Sequence, residues 1–329
     1  MRSKEVHLLH RPTGLATEGD FAVRSIEVDD NADLIVRNEQ FSVDPYMRGR
    51  MIDRKSYLPP FELNRPMLGA AVGKVVRSRV PEFVVGDYVT TMLGWREYAT
   101  GRASDFQKID VSLGSPSTFL NALGTPGLTA WTGLFKVANL KQGETVFVSA
   151  AAGAVGSIAC QLAKTRGCRV IGSAGSSDKC EWLTEVAGVD SAINYKSGNL
   201  QTALAENAPG GIDVYFENVG GTHLEAALDN MKTSGRIAVC GMIEHYNDIE
   251  PRPGPRNLSL IIQKTIRMEG FLVSRYFEHF FDYRQEMSAL VRDGKIHVAE
   301  TVVSGIEKAP KAFLSLFSGA KMGKILVTI

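Results

Sequence analysis

The stretch TVFVSAAAGAVGSIACQLA, residues 145–163, decides how this chain folds. Thr145 to Ser149 is a short run of apolar β-formers, suited to a strand buried on both faces. Small residues follow. Then Val155, Ile158, Ala159, Leu162 and Ala163 recur at i, i+3, i+4, i+7 and i+8, which is one stripe of an amphipathic helix. Gly167 is well placed to end that helix. In the turn, Gly153 and Gly156 let the backbone approach a pyrophosphate, while the helix N-terminus offers free N–H donors and a favourable dipole. A full dinucleotide fingerprint would carry glycine at position 150. Here Ala150 makes it A-x-x-G-x-x-G, which taken alone fits a tight turn without a ligand as well.

The residues downstream remove that ambiguity. Further strands are expected at Arg169 to Gly172, Ser191 to Tyr195, Ile212 to Glu217, Arg236 to Cys240 and Ile266 to Leu272. Between them lie helical patterns, one with Trp182, Leu183 and Val186, another with Leu224, Ala227, Leu228 and Met231. Glu278 to Asp293 reads as a closing helix. Short apolar strands alternating with helices make an α/β, Rossmann-type, doubly wound parallel sheet of six strands.

Working outward, the first 120 or so residues change character. They are rich in β-branched residues, glycine and proline, with strand-like fragments at Asp33 to Val36, Gly73 to Val76 and Asp87 to Thr91. A mostly antiparallel β domain is expected there, and the run Lys324 to Thr328 is expected to return to it. The division is therefore 1–122 with 300–329 for the β-rich (GroES-like) domain and 123–299 for the nucleotide-binding domain. Asn247 to Asn257, with three prolines and one glycine just after the fifth strand, is a candidate substrate lid.

Composition bounds the partners. With 44% hydrophobic and 22% charged residues the chain is ordinary globular material, long enough for two domains. A net charge of +1 without a basic cluster speaks against nucleic acid. No apolar run suits a membrane span or a secretory signal, so a cytoplasmic protein is expected. Cys160, Cys168, Cys180 and Cys240 form no C-x-x-C pair and read as structural thiols. The first 120 residues hold no cysteine and only His7 and His10, which argues against a catalytic zinc; no metal is expected.

The second strand ends in Gly172-Ser173-Ala174-Gly175-Ser176-Ser177, with no carboxylate to bond a ribose 2′-hydroxyl. A 2′-phosphate would meet no repulsion there. Ser173 and its neighbours could donate to it, and Lys179 could supply positive charge, although a solvated helix-surface lysine is the commoner fate. NADPH is thus preferred over NADH. Without a Lewis acid, conjugate reduction is easier to support than alcohol oxidation, because charge sent onto a carbonyl oxygen needs only one well-placed hydroxyl. A tyrosine, unperturbed pKa about 10, can fill that role. Tyr246 lies beyond the fifth strand at the carboxyl end of the sheet, and Tyr46 lies in a turn-like segment. For Tyr46, loop packing and pocket lining stand level.

Six motifs in order then carry a resemblance over nearly the whole chain. They are V-D-P-Y-M-R-G-R-M at 43–51, G-W-R-E-Y at 94–98, A-A-A-G-A-V-G-S at 150–157, E-N-V-G-G at 217–221, C-G-M-I at 240–243 and M-E-G-F at 268–271. The chain resembles the zinc-free medium-chain dehydrogenase/reductases of the prostaglandin reductase, leukotriene B4 12-hydroxydehydrogenase and alkenal (curcumin-type) double-bond reductase family. The resemblance implies NADPH contacts at Gly153, Ala154, Val155, Gly156, Lys179, Tyr195, Asn218, Cys240, Gly241, Met242, Ile243, Tyr246, Phe271, Leu272 and Val273. It implies Tyr246 as the group facing the substrate carbonyl and the cofactor ribose, and a homodimer; Tyr46 and Trp95 are expected on the substrate side. The implied reaction is NADPH-dependent reduction of the α,β double bond of enones and alkenals. One departure stands out: the family's asparagine two residues before G-K is Lys321 here, which removes an amide that would contact the cofactor. A quinone reductase of the same superfamily and a non-catalytic NADPH-binding protein are the alternatives. The first is separated by a substrate panel, the second by cofactor binding without turnover.

Overall fold

Six strands lie side by side in one all-parallel sheet, in the spatial order Ser191–Asn194, Arg169–Ala174, Thr145–Val148, Ile212–Glu217, Met231–Val239 and Arg267–Gly270. The structure, a computed structural model, describes residues 1–329. Numbered along the chain the order is 3-2-1-4-5-6, the doubly wound arrangement. Helices such as Ala154–Thr165, Ser177–Glu185 and Gly221–Asn230 supply the crossovers. The central strand, Thr145–Val148, is apolar and buried because helices cover both faces, which is why it shows no alternation. The fifth strand starts at Met231 rather than at Arg236: the register against Ile212–Glu217 shifts, and Ser234 takes a φ of 61° inside the polar stretch that precedes the apolar run. The closing helix spans Phe280–Arg292, and the residues before it, Val273–His279, form tighter 3-10 turns.

The chain divides into two compact units. The second unit, Asn121–His245 and Glu250–Ala299, contains the parallel sheet. The first unit comprises Met1–Leu120, Glu300–Ile329 and the short island Tyr246–Ile249. Its larger sheet runs Glu300–Ser304, Lys324–Thr328, Leu34–Ser42, Ala71–Ser78, Tyr88–Thr91 and Phe106–Lys108, with Tyr98–Gly101 also paired to Leu34–Ser42. All pairings in it are antiparallel except the first, and a three-stranded antiparallel sheet completes the unit. The core of the unit is aromatic. Trp95, at 0% exposure, stacks on Phe21 (6.2 Å between centroids) and meets Phe41 and Phe313 at 5.7 and 6.1 Å. Full burial of each such ring is worth up to about 3 kcal/mol, so this cluster anchors the unit.

Candidate functional site

In the second unit the first strand turns sharply into the helix Ala154–Thr165. Gly153 N donates to Ala150 O (2.9 Å), Ala151 N donates to Ser173 O (2.9 Å), and Ala150 itself sits at φ 47°. That left-handed conformation is unstrained for glycine and costs alanine on the order of 1 kcal/mol. Gly156 is less replaceable: a Cβ there would stand 2.3 Å from Ala150 O and 2.9 Å from Ala151 Cα, both backbone atoms. The turn and the helix N-terminus are therefore held in the tight form that leaves N–H groups of Ala154, Val155 and Gly156 unpaired within the helix.

The floor beside this turn is organised by a carboxyl group that sequence reasoning assigned no role. Glu217, fully buried at the end of its strand, accepts from Ser149 Oγ (3.0 Å), Val219 N (2.6 Å) and Gly220 N (3.0 Å) through one oxygen. Its backbone carbonyl accepts from Cys240 N and Gly241 N at 2.9 and 3.1 Å. Burial raises its pKa, while those donors pull the other way. Asn218 is fixed from both ends, its N–H on Ser149 Oγ (2.9 Å) and its amide Nδ2 on Ser149 O (2.7 Å). Gly220, at φ 85°, carries the chain into the next helix. Gly241, Met242 and Ile243 line up alongside, with Ile243 N donating to Asn218 O (3.1 Å). The Cys240 thiol is pushed up to about 12 by burial and then by Glu217, so it is a neutral packing group.

At the end of the second strand, a Cβ on Gly175 would lie 2.9 Å from the Tyr195 hydroxyl and 3.2 Å from Lys196 Cε. Lys179, half-buried, has its pKa lowered by burial and then by the charge of Lys196. Lys179, Tyr195 and Lys196 thus lie close together, and two like charges side by side are favoured by an anion placed between them. Lys196 was missed by sequence reasoning; its only signal was adjacency to Tyr195. His223 was missed too. It is 2% exposed, neither ring nitrogen has a partner, and it packs edge-on to Tyr195 at 4.8 Å. Burial drops its pKa to about 4, so it is a neutral wall behind the tyrosine. Ser173 requires a correction. It is fully buried and its hydroxyl is enclosed, on a strand buried on both faces. Its carbonyl accepts from Ala151 N (2.9 Å), and its hydroxyl has no partner.

Phe271, Leu272 and Val273 follow the last strand. Phe271 packs edge-on to Phe216 at 6.5 Å, and Phe271 and Leu272 border an open cleft of about 470 Å³ with Val239, Glu269, Gly270, Arg275 and Tyr276.

In the first unit Tyr46 opens the short helix Tyr46–Arg50. Burial, and next the nearby Asp44 carboxylate, raise its hydroxyl pKa far above the ordinary value, so it stays protonated. Asp44 accepts from Ser42 Oγ and from the buried Lys324 Nζ. Tyr246 belongs to the same unit. Trp95 is the second correction: with no exposed surface and three aromatic neighbours it is core, not a substrate contact. Lys321 is exposed, in the turn before the last strand. Both ring nitrogens of His7 are occupied, by Glu5 Oε2 (2.9 Å) and Asn64 O (3.1 Å). No three His, Cys, Asp or Glu side chains are grouped so as to hold a metal ion.

Residues 4–109 match the family described as N-terminal domain of oxidoreductase, and residues 154–293 the family described as zinc-binding dehydrogenase. The chain is 44% identical to a 2-alkenal reductase (NADP(+)-dependent) of Nicotiana tabacum, with 99% of the chain and 97% of that protein covered. It is 37% identical to the NADPH-dependent curcumin reductase of Escherichia coli (100% and 97% covered) and 39% identical to mouse prostaglandin reductase 1 (95% of each). Among solved structures, CurA of Vibrio vulnificus in complex with NADPH superimposes with a TM-score of 0.94 at 37% identity, covering 99% and 98% of the two chains.

Proposed function

Since the chain belongs to the family of 2-alkenal, curcumin and prostaglandin reductases, we propose that it is an oxidoreductase that uses NADPH to reduce the α,β carbon–carbon double bond of enones and alkenals. The observation that carries the cofactor half of this reading is Lys179 beside Lys196 at Tyr195, where the second strand ends without a carboxylate of its own and Glu244 reaches Tyr195 only through its charge. The cradle fits the rest of the dinucleotide: the space beside Gly156 admits no side chain, and Glu217 holds Asn218 to Gly220 rigidly next to it. Gly153 to Gly156 would take the pyrophosphate, and Asn218, Cys240 to Ile243 and Phe271 to Val273 the remainder. NADPH, when bound, supplies the hydride for the β-carbon of the substrate.

The protein's own part is electrostatic. Tyr246 donates a hydrogen bond to the substrate carbonyl oxygen as negative charge develops there, which stabilises the enolate, and a proton from solvent then saturates the α-carbon to give the saturated carbonyl. Tyr46, kept protonated by its burial, lines the substrate side as a neutral donor. Zinc independence belongs to the same reading, since His7 is committed to Glu5 and Asn64 and no cysteine lies in the first 120 residues. The four cysteines are free thiols, which suits a cytoplasmic enzyme. A homodimer is supported by the edge strand Arg267–Gly270, which is exposed along its length, and by the exposed apolar side chains of Ile262, Phe277 and Phe281 in the same unit.

The test is NADPH oxidation at 340 nm with a medium-chain 2-alkenal, an aryl enone, a quinone and a saturated ketone, repeated with Tyr246→Phe. The reading expects turnover on the first two with a saturated carbonyl product. It also expects at least a tenfold loss in the variant, about what one acid or oxyanion donor contributes. Activity confined to the quinone would refute it.

A further inference from the structure

Arg48 is 1% exposed, on the inner side of the short helix Tyr46–Arg50. No carboxylate hydrogen-bonds its guanidinium, and Asp20 acts on it only through its charge. Nε donates to Asn247 Oδ1 (3.0 Å), Nη2 donates to the carbonyls of Pro12 (3.3 Å) and Gly14, and Nη1 is buried without an acceptor. Burial lowers its pKa, so the charge is carried at a cost. A methionine of similar reach would fill this space without that cost. A purely structural requirement therefore does not account for an arginine with one donor left idle. The contacts it does make show what it holds: the loop at Pro12 and Gly14, and the residue directly after Tyr246. Ile249 reinforces the same junction, its Cγ1 lying 3.4 Å from where a Cβ on Gly14 would be. Tyr246–Ile249 thereby travels with the first unit, although the residues on either side of it belong to the second.

We propose that Arg48 is a positioning residue for Tyr246: by binding Asn247 it fixes the backbone that carries the tyrosine hydroxyl to the substrate carbonyl. The proposal rests on the role given to Tyr246 above. It assigns the charge to geometry rather than to contact with substrate, because Arg48 itself has no exposed surface to offer. A guanidinium suits the task because its planar donors can grip two neutral segments at once, which an ammonium cannot do with the same fixity.

The experiment compares Arg48→Met, Asn247→Ala, Asn247→Asp, Tyr246→Phe and the double variant R48M/N247A. Each is measured for kcat and for KM of NADPH and of a medium-chain 2-alkenal, and thermal unfolding is followed in parallel. R48M and N247A are each expected to lower kcat at least tenfold with KM for NADPH within about twofold of wild type. The double variant should be no worse than R48M, since both break one link. N247D keeps an acceptor for Arg48 and should retain kcat within about threefold. If R48M fails to fold, N247A and N247D decide the matter alone. Wild-type kcat in N247A, or losses in the double variant that simply multiply, would overturn the proposal. A normal rate in Tyr246→Phe would instead remove the tyrosine from the mechanism, whatever Arg48 does, so the two failures are distinguishable.

Discussion

Replacing Lys179 and Lys196 by methionine, singly and together, probes the electrostatics of the cofactor end most directly. A ribose 2′-phosphate brings a charge of about −1.5 to −2 at neutral pH. A charge-assisted hydrogen bond from a half-buried lysine is worth about 1.5–2 kcal/mol, near the lower end of the range for such bonds, because water still reaches Lys179. That is roughly a 10- to 30-fold rise in KM for NADPH. Lys196 is exposed, so its share is that of a surface pair, about 0.5–1 kcal/mol, or two- to fivefold. In the absence of cofactor the two lysines repel each other. Removing either relieves the other, and the two losses should therefore combine to less than their product. NADH carries no 2′-phosphate, and its KM should change by less than about twofold. The assay is initial rates at 340 nm with each cofactor, at low salt and again at about 0.5 M, where screening shrinks the Lys196 effect first. Equal losses with NADH and NADPH in K179M would refute the reasoning. They would mean that the lysine supports the fold of the cradle rather than an anion.

Two further predictions concern the rest of the molecule. His223 titrates near 4 in the folded protein against about 6.5 when unfolded, so the unfolded chain binds the proton first as pH falls. Its stability contribution is intact above about pH 6.5 and declines by up to roughly 3 kcal/mol by pH 4. Urea midpoints of wild type and His223→Leu at pH 7 and pH 4.5 should diverge accordingly, and parallel midpoints would sink the idea. For the dimer, sedimentation should give a species of twice the 35.8 kDa chain mass, and Met268→Pro, on the exposed edge strand, should shift it to the single-chain mass. A wild-type protein that sediments at 35.8 kDa would end that proposal.

Where one residue type decides one local shape, the sequence was transparent. The strands around Thr145 and Ile212 could be read because helices on both faces demand unbroken apolar runs. The helix Ala154–Thr165 could be read because its larger apolar side chains, Val155, Ile158 and Leu162, recur at helical spacing, although Gly156 to Ala163 are all buried. The mixed sheet of the first unit was legible only in pieces. Its short strands pair across long sequence separations, as Lys324–Thr328 does with Leu34–Ser42, and no local pattern announces such a partner. At the site, the glycines and Lys179 came from spacing. Glu217 and Lys196 did not, because their roles arise from neighbours contributed by other strands. Trp95 misled for the opposite reason: a motif places it near functional segments, but nothing in a motif says which way a large ring turns, and three aromatic neighbours turn it into the core.

The island Tyr246–Ile249 has a consequence for anyone who would recombine this chain with a relative. Crossovers placed near Leu120 and Glu300 look clean, since each exchanges a contiguous block. Yet such a hybrid would inherit Tyr246 and Asn247 from one parent and Arg48, Pro12 and Gly14 from the other. The modular piece is not a contiguous stretch of gene. A functional exchange of the β-rich unit has to carry four extra codons from the middle of the other module, and libraries that ignore this should be depleted of active members at a rate that fold stability alone would not foretell.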